Sequence, residues 1–374
     1  MLRRSFLSLL PCSGALLLRP ATSKAVSAPI RYGYVFKATP EHPRNDTANV
    51  LELRDRSLLV VWHKYYANEL KTSDFGMAKI HSRISRDGGI TWTDDRMLVD
   101  CDPGDLNVQA PGLCRTRKGD ILLNCLRAHA KDSTSMYVFR STDEGQTFRE
   151  YSRVWQHSTG QWLQGGASGV VRLESGRLVM PYHFGSGDQG HEHCRASCFL
   201  SDDDGATWQR ARTEVDLPMR GAMEASVAEH PDGFLAMSLR TQLGAVYLSI
   251  SHDRGDTWTP PQTTGLKAPE SCTCLRRIPG TKNLVLFWND SLFLPNYDHS
   301  GKRTPLTAAV SSDGGTSWRR IGNVDTEDAW LTNVNCTFVS NGSAVLTYFH
   351  GPSTLPKNLI DLKSAVIERS WFGS

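Results

Sequence analysis

The sequence lacks a strong charge of one sign and, beyond its first 28 residues, any long apolar run. Its 374 residues carry a formal net charge of +3. Four of the 42 basic residues lie in the first 28 positions, which hold no acidic residue, so the rest of the chain has 38 basic against 39 acidic residues. This balance argues against a nucleic-acid or anionic-membrane partner. Without 18 uninterrupted apolar residues after position 28, we expect no integral membrane segment.

Cysteine is sparse. Nine cysteines include Cys12, and eight in the remaining 346 residues are far fewer than a disulfide scaffold contains. We therefore expect most of them to be small buried hydrophobic residues. The run His191-Glu192-His193-Cys194, with Cys198, lacks a second ligand pair at a standard zinc spacing. The sequence predicts neither a metal site nor a cofactor.

Residues 1–28 have the pattern of an export signal: a basic start, a short apolar run and small residues near Ala25 and Ala28. Within them, Arg3-Arg4-Ser5-Phe6-Leu7 resembles the twin-arginine export signature. That resemblance implies a bacterial protein exported to the periplasm or beyond. A general secretory signal and a mitochondrial presequence are the alternatives. We assign 1–28 to the signal and 29–374 to one domain.

One pattern, Ser-x-Asp-x-Gly-x-Thr-Trp, occurs five times with small variations. The copies lie at 85–92, 141–148, 201–208, 251–258 and 311–318. Their aspartates are 56, 60, 50 and 60 positions apart, a spacing typical of propeller blades and too long for a helical solenoid. In each copy we interpret Asp as an acceptor for turn N–H groups and Gly as the residue with positive φ. These aspartates are therefore predicted to be structural.

We call the five copies of this pattern boxes. Six turn signals, each followed by an apolar strand, alternate with the boxes. They lie at 55–56, 118–119, 175–176, 232–233, 279–280 and 341–342. Six units of about 58 residues each suffice for four-stranded sheets and their connections. The sequence predicts an all-β fold, a six-bladed β-propeller over 29–374, with a last, boxless blade from about Trp330. Because closure needs the first and last strands to meet, we expect 30–36 to pair with 365–368.

The innermost strands of a propeller line its central channel. Nine or ten residues before each turn lie six equivalent positions, most of them polar. They are Asp46, Gln109, Gly166, Glu224, Glu270 and Asn333. A buried polar ring is either structural or part of a ligand pocket. We favour the pocket, because blade interiors otherwise select apolar residues, and we count Gln109 among the substrate-binding candidates.

The five boxes, the six turns and this ring resemble the sialidase (neuraminidase) superfamily over essentially the whole chain after residue 28. The boxes indicate the fold more strongly than the activity. The resemblance implies a Glu that activates a Tyr nucleophile, an Asp acid/base on a loop, and three Arg that hold the sialic acid carboxylate. By motif and spacing it assigns the Glu to Glu224, the second Arg to Arg240 sixteen residues later, the third to Arg303, and the acid/base to Asp74.

Two departures from the family pattern bear on mechanism. The first Arg usually begins an Arg-Ile-Pro segment, whereas this chain reads Pro-Arg-Asn-Asp-Thr at 43–47. Arg44 fits only with a two-residue shift; without it, Asp46 faces the pocket. The nucleophilic Tyr belongs on the last inner strand, but 331–336 contain none, and Tyr348 lies on the following strand. The retaining mechanism is thus in question, while an inverting route through water remains open.

The chemistry of these residues supports the roles independently. Guanidinium groups bind carboxylates in bidentate fashion, and glycoside cleavage uses two carboxyl groups with distinct pKa values. We predict an exported exo-glycoside hydrolase whose partner is a glycan ending in an anionic sugar, either sialic acid or another acidic sugar. The predicted residues are catalytic Asp74 and Glu224 and substrate-binding Arg44, Arg240, Arg303 and Gln109. The alternatives are a uronate-acting lyase or hydrolase, which the missing Tyr favours, and a non-catalytic glycan-binding propeller.

Overall fold

The computed structural model describes residues 29–70, 73–156, 162–165, 169–186, 192–353 and 359–373. Twenty-five strands form six antiparallel sheets, arranged as the blades of a propeller. The described ranges contain no α-helix, only short 3-10 helices at Asp298–Ser300 and Arg369–Phe372. The predicted six-bladed β-propeller is confirmed. The export-signal prediction falls on residues 1–28, which lie outside the described residues.

Blades 1 and 2 each contain four consecutive strands, listed from the channel outwards. Blade 1 contains β2 (Asn45–Glu52), β3 (Leu58–Tyr65), β4 (Ala78–Ser85) and β5 (Thr93–Val99). Blade 2 contains β6 (Asn107–Arg115), β7 (Ile121–Ala130), β8 (Ser133–Ser141) and β9 (Arg149–Trp155).

Blade 3 has a divided innermost strand, while blades 4 and 5 repeat the simple order. Blade 3 contains β10 (Trp162–Gly165) and β11 (Val171–Arg172), both paired with β12 (Leu178–Ser186), then β13 (His193–Ser201) and β14 (Gln209–Arg210). Blade 4 contains β15 (Met223–Glu229), β16 (Leu235–Arg240), β17 (Ala245–Ser251) and β18 (Gln262–Lys267). Blade 5 contains β19 (Cys274–Arg277), β20 (Leu284–Asn289), β21 (Leu306–Ser311) and β22 (Arg319–Asp325).

Blade 6 closes the ring by combining the two ends of the domain. It contains β23 (Ala329–Phe338), β24 (Ala344–Pro352), β25 (Asp361–Ile367) and, outermost, β1 (Ile30–Phe36). Ile30 pairs with Ile367 and Tyr32 with Ala365 in an antiparallel register. The predicted closure is confirmed, and the backbone of the last blade is completed by the first strand of the domain.

Apolar side chains fill the spaces between neighbouring blades. Six buried clusters each contain strand residues of two adjacent blades, as where Leu59 and Val61 of blade 1 meet Leu123 and Cys125 of blade 2. A seventh, smaller cluster lies apart from these interfaces. It consists of Trp330, Phe349 and Ile360. Because each blade is buried on both faces, its second strand is a nearly continuous apolar run.

The five boxes form the turns between the third and outermost strands of blades 1 to 5, as Asp253 illustrates. Its carboxylate accepts hydrogen bonds from the Thr257 amide at 2.8 Å, the Thr257 hydroxyl at 2.6 Å and the Ser251 hydroxyl at 2.9 Å. Gly255 has φ 94° and donates to Ser251, and the Trp258 indole donates to the Gly255 carbonyl. Equivalent carboxylate contacts recur at Asp87, Asp143, Asp203 and Asp313.

Removing one of these carboxylates should destabilise the protein in a pH-dependent way. Burial opposes ionisation of Asp253, but hydrogen bonds from Thr257 and Ser251 lower its pKa to about 2. Its stabilisation is thus present above the unfolded pKa near 4 and is lost as pH falls towards 2. We expect Asp253→Ala to cost about 1–2 kcal/mol at pH 7 and less in acid. Urea unfolding at several pH values measures this. Asp132→Ala, in the β7–β8 turn, is the control. If both variants lost the same free energy of unfolding at pH 7, the structural role of the box carboxylate would be contradicted.

Two further predictions concern membranes and cysteines. In the ranges that the structure describes, no helix is long and apolar enough to cross a membrane.

All eight cysteines after Cys12 are unpaired, and seven of them are buried. His191 lies outside the described residues, while His193 contacts Asp216 rather than a cysteine. No cluster of three or more potential metal ligands occurs among the residues described.

Candidate active site

The first residues of several inner strands surround a cavity of about 390 Å³ at one end of the central channel. Polar and charged side chains predominate in its lining. The lining comprises Arg44, Asp46, Thr47, His63, Ser73, Asp74, Phe75, Gln109, Gln164, Glu224, Arg240, His299, Arg303, Trp330, Thr332, Asn333, Phe349 and Ile360. All six residues predicted for the site are in this set, although they are spread over blades 1, 2, 4 and 5 and their connections. The fold therefore brings them together.

A bulge re-aims the side chains of four inner strands at the level of the cavity. Thr47, Ala110, Glu224 and Asn333 all have positive φ, between 28° and 52°. The strand register shifts at each of these positions. A bulge bends its strand and redirects a side chain, and positive φ strains residues other than Gly and Asn. The same local device thus turns part of the polar ring towards the cavity.

Two histidines hold these bulges in place from the preceding blades. His63 Nδ1 accepts a hydrogen bond from the Ala110 amide at 3.0 Å, and His183 Nδ1 accepts one from the Glu224 amide at 3.2 Å. Burial, opposed by the charge of Glu224, lowers the pKa of His183 to about 4. His183 is therefore neutral at pH 7, which leaves its Nδ1 available as an acceptor.

Glu224 forms a buried ion pair with Arg240. Arg240 donates to Glu224 Oε2 at 2.7 Å and to Glu270 Oε1 at 2.8 Å, and Arg220 also donates to Glu270 at 2.6 Å. Burial alone would raise the pKa of Glu224, but the charge of Arg240 and a contact from Cys272 lower it to about 2. Glu224 is thus a carboxylate at neutral pH, as a general base must be.

Glu270 does not face the cavity, contrary to its predicted place in the ring. It lies before β19, is 3% exposed, and accepts hydrogen bonds from Arg220, Arg240 and Gln242. Its carboxylate therefore fixes the orientation of Arg240 through a hydrogen bond and does not line the cavity itself. Gly166, another ring position, lies outside the described residues.

Arg303 is a buried cation with no acidic partner among the described residues. Its side chain is 5% exposed, donates to the Glu270 carbonyl oxygen at 3.0 Å and lies 4.8 Å from the Trp330 ring centre. No carboxylate of the described residues forms a salt bridge with it, and its buried Nε has no hydrogen-bond partner. Burial and the charge of Arg240 lower its pKa to about 10, so it stays protonated at pH 7.

Arg44 has the opposite character, because two carboxylates already contact it. It donates to Asp46 at 2.6 Å and to Asp74 at 2.5 Å, and its guanidinium lies 4.7 Å from the buried Tyr65 ring. Burial opposes ionisation of Asp46, but the Arg44 charge and the contact with His63 hold its pKa well below the usual range. Asp74 is 52% exposed and lies on the β3–β4 connection. Arg44 and Asp46, which the sequence left as alternatives, both line the cavity.

Asn333 lines the cavity, and the buried Cys272 lies between Asn333 and Glu224. The Asn333 amide donates to Asp46 at 2.6 Å, and the Cys272 thiol lies 2.7 Å from Glu224 Oε2 and 3.0 Å from Asn333 Oδ1. Burial, together with the Glu224 charge, raises the pKa of Cys272 to about 12. The thiol is therefore protonated, and it links Glu224 to Asn333.

The described residues that line the cavity include no tyrosine. Tyr348 lies on β24, is fully buried, and donates to Asp325 at 2.7 Å. Tyr348 does not line the cavity, and the expectation that it is not the nucleophile stays a prediction. Residues that sequence reasoning missed in the site include His63, Gln164 and Cys272. None belongs to a motif, and only the position of His63 opposite Asp46 across the β2–β3 pair offers a signal.

The chain belongs to the BNR repeat-like domain family, whose model matches residues 54–345. It is also similar to a sialidase of Bacteroides fragilis, strain YCH46, with 27% identity over 194 residues. That match covers 50% of this chain and 34% of the relative. The chain thus spans about a third of the length of the curated relative that it matches.

Solved structures show the same fold. A Hadza microbial sialidase, Hz136, superposes with a TM-score of 0.72 at 20% identity, covering 90% of this chain and 68% of that one. The NanB sialidase of Streptococcus pneumoniae gives 0.70 at 13% identity, with 92% and 71% covered. A protein of unknown function from Dyadobacter fermentans DSM 18053 gives 0.68 at 16% identity, with 91% and 99% covered. The predicted sialidase-type propeller is therefore confirmed as a fold.

Proposed function

We propose that this protein is an exported exo-glycoside hydrolase that removes a terminal acidic sugar, sialic acid or a related sugar acid, from a glycan. The observation that carries the proposal is Arg303, a buried cation that faces the same cavity as Glu224 and has no acidic partner among the described residues. A buried unpaired charge is costly, so a ligand carboxylate at this point would supply the missing counter-charge. Similarity to proteins named sialidases supports the same substrate class.

The carboxylate of the sugar would lie against Arg303 and Arg240. Arg240 is held by Glu224 and Glu270 and is thus fixed in orientation, while Arg303 supplies the uncompensated charge. Preorganised guanidinium groups bind a carboxylate strongly and specifically. Arg44 also lines the cavity, and it contacts Asp74, the candidate acid/base. A substrate bound against Arg44 would therefore lie close to Asp74.

Asp74 and Glu224 would carry the chemistry. Asp74, exposed on its loop, would take up a proton from solvent and donate it to the glycosidic oxygen as the bond to the anomeric carbon breaks. Glu224, a carboxylate with a pKa of about 2, accepts a proton from water as the water oxygen bonds to that carbon. The sugar acid and the free alcohol leave, and the two carboxyl groups exchange their protonation states through solvent. This route needs no tyrosine.

A uronate-acting lyase is the second candidate, and the absence of a tyrosine among the described cavity residues favours it. Glu224 would then remove a proton from the carbon next to the carboxylate, and the glycosidic oxygen would leave with the proton of Asp74. The product would be an unsaturated sugar. No water would be added across the broken bond.

A substrate screen distinguishes these functions. The full chain is incubated with aryl glycosides of sialic acid, glucuronic acid and a neutral sugar, and with an oligosaccharide in which a uronic acid carries the next sugar on O4, the bond that a lyase breaks. The products are analysed by mass spectrometry. Release of a hydrated sugar acid supports the hydrolase, and an unsaturated product supports the lyase. Binding of an acidic sugar without turnover would indicate the glycan-binding propeller, and turnover of the neutral glycoside alone would contradict the proposal.

Because the described residues that line the cavity include no tyrosine, a further prediction follows. A fluorinated sialic acid inactivator, which traps a covalent sugar–enzyme intermediate, should leave no tyrosine adduct on this protein. Intact-protein and peptide mass spectrometry after incubation measure the adduct, with a tyrosine-dependent retaining sialidase as the positive control. An adduct on Tyr348 or on Tyr65 would contradict the water route and restore a retaining mechanism.

A further inference from the structure

The cavity wall formed by blades 1 to 3 differs in charge from the wall formed by blades 4 and 5. Blades 4 and 5 provide Arg240 and Arg303. Blades 1 to 3 provide the ion-paired group of Arg44, Asp46 and Asp74 and, beside it, three further hydrogen-bonding side chains. We call these three, His63, Gln109 and Gln164, the neutral wall. We propose that the neutral wall binds the uncharged, hydroxyl-bearing edge of the sugar, so that the substrate carries one carboxylate and no second anion at that edge. This inference rests on the proposed function and deepens it.

Each residue of the neutral wall has a buried polar atom that forms no hydrogen bond with the described residues, although His63 Nε2 lies 3.8 Å from Asp46 Oδ2. These atoms are His63 Nε2, Gln109 Nε2 and Gln164 Oε1. His63 and Gln109 are only 4% and 3% exposed, yet both line the cavity. Leaving a buried donor or acceptor unpaired costs about 1–3 kcal/mol, so such atoms normally have a partner from a ligand or water. Three of them on one wall therefore mark a polar binding surface.

The local structure determines which nitrogen of His63 donates a hydrogen bond and which accepts one. Its Nδ1 accepts the Ala110 amide hydrogen at 3.0 Å, so that nitrogen carries no proton. The imidazole proton then lies on Nε2, which acts as a donor. Gln109 adds an amide donor on β6, and Gln164 adds an amide acceptor on β10. Sugar hydroxyls both donate and accept hydrogen bonds, so they match this mixed set.

A second anion fits this wall poorly. Arg44, the cation that blade 1 contributes to the cavity, already contacts the carboxylates of Asp46 and Asp74. Asp46 is 1% exposed and lies 3.8 Å from His63 Nε2. A sulfate ester or second carboxylate placed here would meet these carboxylates without an uncompensated cation, and like charges at short range repel. The wall thus selects hydroxyl groups over anions.

Calorimetric binding to the full chain tests the inference. The probes are N-acetylneuraminic acid, analogues that each lack one hydroxyl group, and an analogue with a sulfate ester at the most sensitive position. The proteins are the wild type, the double variant Gln109→Leu/Gln164→Leu, and the control Gln209→Leu, whose side chain is exposed on β14. Wild type and control should bind one deoxy analogue about 10- to 100-fold more weakly than the parent, because a buried polar group then loses its partner. The sulfated analogue should bind at least as weakly.

The double variant should discriminate much less between the parent and that deoxy analogue, because two of the three side chains that sense the hydroxyl are gone and only His63 remains. Discrimination as large as in the wild type would overturn the inference, as would tight binding of the sulfated analogue. If acidic glycosides are turned over but the double variant discriminates as the wild type does, the proposed function stands and the neutral wall is rejected. If the double variant loses discrimination but no glycoside is turned over, hydrolysis is rejected and the neutral wall stands. If N-acetylneuraminic acid does not bind and no acidic glycoside is turned over, both proposals fail.

Discussion

Glu224→Gln is expected to lower kcat by about 10²–10⁴-fold on whichever acidic glycoside the protein cleaves, because the amide cannot accept the proton that the reaction releases. The substitution preserves the size of the side chain and its bulged position on β15. Since the pKa of Glu224 is held at about 2, the wild-type carboxylate should stay ionised until pH falls towards that value. Steady-state kinetics over a range of pH measure both effects.

Glu229→Gln is the matched control for this prediction. Glu229 lies on the same strand as Glu224, at the other end of β15 and outside the cavity lining. Its replacement should leave kcat within a factor of about two, since its carboxylate contacts the Glu174 amide instead. If Glu224→Gln retained more than a tenth of the wild-type rate, Glu224 would not be the base in either the hydrolase or the lyase.

Arg303→Met should separate binding from stability. Loss of a buried contact to a substrate carboxylate is expected to lower kcat/KM by about 10²–10³-fold. The free energy of unfolding should stay the same or rise, because the variant removes a buried cation that has no acidic partner among the described residues. Methionine retains much of the packing against Trp330. Denaturant unfolding and kinetics on the same preparations measure the two effects.

Arg240→Met gives the opposite result for stability and is the comparison variant. Arg240 pairs with Glu224 and Glu270, so its removal leaves buried carboxylates with less compensation. Breaking a buried pair costs about 3–5 kcal/mol. A structural role for Arg303 would instead make both variants unstable to a similar degree. That outcome would remove Arg303 from the account of the site.

The fold was predictable because its repeating elements are local. Each box folds through contacts among about eight neighbouring residues, as at Ser251–Trp258, and each turn signal joins two consecutive strands. These short-range signals set the number of blades. Closure was predictable for a different reason, since a ring without open edges requires its first and last strands to pair.

The site was predictable only in part. The spacing of Glu224 and Arg240 follows from a hairpin that puts Arg240 opposite Met223, next to Glu224. The count that placed Glu270 in the ring failed, because β19 begins only at Cys274 and the preceding segment follows a different path. Cys272 instead lies between Glu224 and Asn333.

Other features depend on contacts that sequence patterns do not contain. Thr47, Ala110 and Glu224 are poor candidates for positive φ, so the bulges that aim the site could not be read from residue type. The isolation of Arg303 is equally hidden, because an ion pair depends on which distant carboxylates the fold brings near. Only the structure distinguishes Arg303, which has no carboxylate partner among the described residues, from Arg44, which has two carboxylate partners.

The most direct test of the central claim, that Arg303 binds the carboxylate of an acidic sugar, compares N-acetylneuraminic acid with its methyl ester. Calorimetry is done on the full chain and on Arg303→Met. The wild type should bind the acid about 100-fold more tightly than the ester, and Arg303→Met should bind both equally weakly. Equal binding of acid and ester by the wild type, or undiminished discrimination by Arg303→Met, would contradict the claim.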